Sequence, residues 1–105
     1  MNYKKIYNDF IKDRKTKEQA LLFEGSYFER HHITPRSLGG SNDKSNIISL
    51  TAGDHYFAHL LLAMAYGGKM WIAVTAMANM KGSSKKRNFF VKRRWVEVAR
   101  TKAAK

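Results

Sequence analysis

The chain has 105 residues, enough for one modest hydrophobic core and too few for two independent ones. Twenty lysines and arginines against eight acids give a formal net charge of +12, so a polyanionic partner is expected, nucleic acid ahead of a membrane surface. No cysteine is present, which excludes disulfides, thiolate zinc sites and a cysteine nucleophile, and fits a reducing compartment.

Tyr3, Ile6, Tyr7, Phe10 and Ile11 share one helical face, with Lys4, Lys5, Asn8, Asp9, Lys12 and Asp13 on the other, which predicts a helix over about 3–22. Gly25-Ser26 ends it. Residues 27–33 read as a short strand, with Glu29, His31 and Ile33 on one face and Arg30 and His32 on the other. Pro35 closes that strand, and 35–45, with Gly39-Gly40, Ser41, Asn42 and Asp43, read as a loop. Residues 47–50 form a second β-like run. Thr51 suits the N-cap of a helix over about 52–66, with Asp54 as a capping acid before a ligand, and Gly67-Gly68 as its end. Further helices are expected over about 69–80, around Met70, Trp71, Val74 and Met77, and over about 88–103, around Phe89, Phe90, Trp95, Val96 and Ala99, joined by Gly82-Ser83-Ser84. The fold class is thus α+β.

The start of the chain is polar and lacks the apolar stretch of a signal peptide. The longest apolar run, 57–66, carries His59 and falls short of the roughly 20 residues that span a bilayer. An intracellular, cytoplasmic protein without membrane attachment is expected. The positive charge is uneven: residues 81–105 hold ten Lys and Arg and one Glu, a net +9, leaving +3 for the other eighty.

All four histidines lie between positions 31 and 59, as the pairs His31-His32 and His55-xxx-His59. The second spacing places two imidazoles one turn apart on one helical face, where they can grip a single divalent ion. Adjacent histidines on a strand point to opposite faces, so His31 and His32 are expected to do different jobs. A metal ligand beside a general base is a working arrangement for metal-assisted hydrolysis, and imidazole, with a reference pKa of about 6.5, exchanges protons near neutral pH.

The stretch ERHHITPRSLGGSNDKSNIISLTAGDHYFAHLLL, residues 29–62, resembles the HNH endonuclease motif through its His-His-Ile-x-Pro, Gly-Gly, Asn-Ile and helical His-xxx-His pattern. It is most similar to small phage-encoded HNH proteins, homing endonucleases among them, and its histidine spacing resembles the nuclease domains of DNase colicins. The resemblance implies a ββα-metal finger packed among mainly helical flanking segments. It divides one HNH nuclease domain over 1–105 into an N-terminal helix (1–26), the finger (27–66) and a basic helical C-terminal segment (67–105). It implies His31, His55 and His59 as ligands of one divalent ion, His32 as general base, and Asn46 as the residue that braces the loop and helps hold the base. The zinc-binding cysteines of many family members are missing, so packing must hold the finger together. Glu29 could orient a ligand or pair with a basic side chain.

The function expected is hydrolysis of DNA phosphodiester bonds, double-stranded DNA being the partner, with one strand nicked per monomer. Three imidazoles favour zinc or nickel on ligand softness, but the ion that binds best need not turn over fastest, so magnesium and manganese stay open. Arg36 and Lys44 are expected to touch the backbone near the scissile bond, and Lys85, Lys86, Arg87, Lys92, Arg93 and Arg94 to supply phosphate affinity. A homodimer, or a phage or host protein as further partner, stays open, as does the cytoplasm of a phage-infected host as the location. The alternatives are a non-catalytic nucleic-acid-binding protein with a structural metal, and an RNase built on the same centre.

Overall fold

The computed structural model describes residues 1–78. The expected helix over 88–103 and the basic residues Lys85, Lys86, Arg87, Lys92, Arg93 and Arg94 lie outside the described residues.

Helix α1 spans Tyr3–Phe23 and is capped by Asn2, whose side chain accepts from the Lys5 amide. Gly25, at φ +69°, follows its end and takes a left-handed turn that costs other residues more. Two strands follow, β1 (Glu29–His32) and β2 (Ile47–Leu50), paired antiparallel with His31 opposite Ile48 and His32 opposite Ile47. The first strand is shorter than the 27–33 expected, because a ladder extends only as far as its partner and β2 has four residues. One bond continues the pairing beyond the strand ends: the Ile33 amide donates to the Asn46 carbonyl at 2.8 Å. The intervening loop is more ordered than the sequence suggested. It contains two single turns of 3-10 helix, Arg36–Leu38 and Lys44–Asn46, the first closed by Gly39 at φ +93°.

Helix α2, Ala52–Tyr66, begins at Thr51, whose hydroxyl accepts from the Asp54 amide at 3.1 Å. It ends at Gly67 and is followed by α3, Met70–Ala78. Helix α2 is buried on two sides, and so organises both apolar clusters. On one side Ala58, Leu61 and Leu62 meet Tyr7 and Ile11 of α1 and Ile48 and Leu50 of β2. On the other, Tyr56, Leu60 and Ala63 meet Trp71, Val74 and Met77 of α3. Strand–strand–helix, with α1 and α3 flanking, is the expected ββα arrangement.

Polar ties fix α1 against the finger. Glu18 accepts from the Ser49 amide at 2.7 Å, which covers the side of β2 that β1 leaves open. Arg14 donates to Asp54 at 2.7 Å. Asp54 therefore serves the helix start and the α1–α2 contact, as a capping-turn acid and not a ligand.

Candidate metal centre and nuclease site

The pleat of β1 sends Glu29 and His31 inward toward α2, while Arg30 stands exposed on the other face and His32 is partly exposed there. His31 is only 1% exposed. The i, i+4 spacing on α2 brings His55 and His59 to face it. Ring centroids are 5.2 Å apart for His31–His55, 4.9 Å for His31–His59 and 4.9 Å for His55–His59. Each ring offers one ligand nitrogen, and these three atoms lie within 4.8 Å of one another. Three nitrogens on a tetrahedral ion at about 2.0–2.1 Å would be about 3.3 Å apart, a closure within reach of small side-chain rotations. The imidazoles thus fit a divalent ion.

Burial pushes the His31 imidazole down to about 2, helped by His59, His55 and His32 in that order. His31 is therefore neutral across the physiological range and gives up no proton to bind a cation. His55 Nδ1 lies 2.7 Å from Glu29 Oε1, so Glu29 is paired with His55, one of the three converging imidazoles. The Tyr7 hydroxyl, from α1, lies 2.7 Å from His31 Nε2 and 2.5 Å from the Ile33 carbonyl. Burial raises the pKa of Tyr7, keeping it a neutral phenol.

His32, on the opposite face, places Nε2 at 2.9 Å from Asn42 Oδ1. Asn46 clamps the loop: its Oδ1 accepts from the Thr34 amide at 2.8 Å, and its Nδ2 donates to the Thr34 carbonyl at 3.0 Å and the Ser41 carbonyl at 2.8 Å. Gly40 fits under this clamp because it has no side chain; a Cβ there would sit 1.7 Å from the Thr34 carbonyl oxygen. Arg36 and Lys44 stand exposed on the two loop turns.

Of the site residues expected from sequence, His31, His55 and His59 converge, His32 turns away from them, Asn46 sits in the loop and Arg36 and Lys44 reach solvent. Sequence reasoning missed Tyr7 and Asn42 as site residues. For Tyr7 a signal existed, since a tyrosine on a buried helical face needs a partner for its hydroxyl. For Asn42 there was none beyond its place in a polar loop.

Residues 13–56 match the family model described as HNH endonuclease. The chain is 47% identical over 87 residues to the "Probable mobile endonuclease E" of Enterobacteria phage T4, covering 82% of this chain and 59% of that protein. It is 44% identical over 81 residues to "Probable mobile endonuclease C" of the same phage, covering 77% of this chain and 38% of the relative. A 38.5 kDa protein of psbA intron 1 in Chlamydomonas moewusii is 43% identical over 63 residues, covering 60% of this chain and 17% of that protein. The chain thus spans under two thirds of the length of these relatives. No solved structure matches it. The ββα unit that gathers three histidines thus lies largely within the stretch, residues 13–56, that matches the HNH endonuclease family, and the chain is similar to phage mobile endonucleases over up to 87 of its residues.

Proposed function

We propose that the protein is a metal-dependent endonuclease that hydrolyses phosphodiester bonds of double-stranded DNA. The observation that carries this reading is three imidazoles converging within 4.8 Å while a fourth, from the next residue on the strand, turns outward. Structural zinc sites are closed by four ligands, whereas three protein ligands leave room for a substrate oxygen. That favours a catalytic centre over a structural one.

His31, His55 and His59 would hold the ion, with Glu29 steering His55. A bound divalent ion supplies Lewis-acid stabilisation of charge on the phosphate and the leaving oxygen. His32 takes the proton from the attacking water. Asn42 Oδ1 can only accept, so the His32 proton sits on Nε2 and the lone pair on Nδ1 is the basic one. Asn42 thereby positions the base, and Asn46, through Thr34 and Ser41, holds the loop that carries Asn42. Arg36 and Lys44 meet backbone phosphates beside the scissile bond, and the basic residues from Lys85 to Arg94 add sequence-independent affinity. One centre cuts one strand, so a monomer nicks. Residues 1–105 act as one nuclease domain in this reading.

The test is conversion of supercoiled plasmid to open circle by chelated protein after restoring magnesium, manganese, nickel or zinc. Metal-dependent nicking is expected. Binding with intact plasmid under every metal would favour the non-catalytic alternative, and cleavage of structured RNA alone would favour an RNase.

A further inference from the structure

Tyr7 lies on α1, outside residues 13–56 of the matched domain, yet its hydroxyl reaches the most buried of the three histidines. Tyr7 is 5% exposed and His31 1% exposed, so water does not compete for either group. The hydroxyl has one hydrogen and two neighbours. The Ile33 carbonyl at 2.5 Å can only accept, so the hydrogen points there. The Ile33 peptide is fixed by the sheet, because its own amide donates to the Asn46 carbonyl. The phenol oxygen is then an acceptor toward His31, and the atom 2.7 Å away, Nε2, must carry the imidazole hydrogen. The opposite arrangement would press two oxygen lone-pair regions together at 2.5 Å and leave the Ile33 carbonyl without this donor.

We infer that Tyr7 is a positioning residue of the metal centre: its hydroxyl holds His31 in the tautomer with hydrogen on Nε2 and so presents Nδ1 as the ligand atom. This rests on the reading of His31, His55 and His59 as the metal ligands, and deepens it. Two ligands are then oriented from outside the ion, His55 by a carboxylate on β1 and His31 by a phenol on α1. The N-terminal helix becomes part of the site. Partners of this kind fix ring orientation and tautomer, and their loss typically weakens metal affinity about 10- to 100-fold.

The test uses the full chain and zinc. Affinity is measured by competition with a chromophoric chelator for wild type and Tyr7→Phe, which keeps the ring and removes the hydroxyl. Nitrogen-15 spectra of the imidazoles read the tautomer in metal-free wild type, and coupling to bound cadmium-113 reads the ligand atom. Hydrogen on Nε2 of His31, cadmium coupled to its Nδ1, and a roughly 10- to 100-fold loss of zinc affinity in Tyr7→Phe are expected. The variant should also show a mixed His31 tautomer with His55 unchanged, a signature that simple loss of packing does not produce. Cadmium coupled to Nε2 of His31, or a variant that binds zinc within about twofold of wild type, would overturn the inference and leave the three-histidine site standing. Wild type that binds no metal would overturn both. Should Tyr7→Phe fail to fold, the wild-type couplings decide alone.

Discussion

Asn46 makes three side-chain hydrogen bonds to loop backbone, and Gly40 is packed against the same peptide groups. Asn46→Ala removes three hydrogen bonds to solvent-accessible loop backbone, which water can partly replace, with an expected loss of about 0.5–1.5 kcal/mol in urea unfolding. Gly40→Ala must displace the Thr34 carbonyl and should cost a similar or larger amount, about 1–3 kcal/mol. Variants as stable as wild type would show that the loop is not clamped in this way. The convergence of His31, His55 and His59, the opposite facing of His32 and the loop position of Asn46 were legible because their spacing maps directly onto a strand, a loop and one helix face. Glu29, Tyr7 and Asn42 were not assigned, because their partners sit 26, 24 and 10 residues away along the chain. Hydrogen-bond partners at such separations depend on how elements dock, which no local pattern encodes.

At the level of elements, the helices over 3–22 and 52–66 and the second strand were legible from periodicity and caps, and they appear as Tyr3–Phe23, Ala52–Tyr66 and Ile47–Leu50. The ends of β1 and the two turns inside the loop were not, since pairing length and loop geometry depend on the partner strand and on the Asn46 clamp. That α2 is buried on two sides was equally hidden, because it follows from α3 packing behind it. Helix α1 is held to the finger by Ile11 as well as by polar ties, and Ile11 is 7% exposed in the cluster shared with β2 and α2. Ile11→Ala should destabilise the protein by about 2–5 kcal/mol, read as a lower denaturation midpoint with an unchanged slope. A shift below about 0.5 kcal/mol would mean that α1 is not an integral part of this core.

Across the whole molecule, two electrostatic properties give predictions. The first is acid sensitivity of the metal-free protein. In the unfolded chain His31 titrates near 6.5, and in the fold its imidazole is pushed down to about 2. Between those values the unfolded chain binds a proton that the folded chain does not, so stability is full above about pH 6.5 and falls as pH drops toward 2, by up to about 1.4 kcal/mol per unit. The titratable groups around it are Tyr7 from α1, His55 and His59 from α2, and His32 beside it on β1. Thermal melts in chelator from about pH 7.5 to 4.5 should show this decline, and His31→Gln should flatten it; an equally steep decline in the variant would contradict the assignment. The second property is the charge of residues 81–105. Replacing Lys85, Lys86 and Arg87 with Gln should weaken DNA binding and reduce the salt slope by about 0.9 for each phosphate no longer neutralised, about 3 in all. An unchanged slope would remove these residues from the interface.

The proposed mechanism depends above all on the division of labour between His32 and the three inward histidines, and His32→Ala separates the two roles. Zinc affinity and plasmid cleavage would be measured on the same preparation of that variant. Affinity within about threefold of wild type and cleavage reduced by about 10²- to 10⁴-fold are expected, as loss of a general base produces. Near-wild-type cleavage would contradict the assignment of His32 as base, and lost metal affinity would show that the outward histidine belongs to the ligand set.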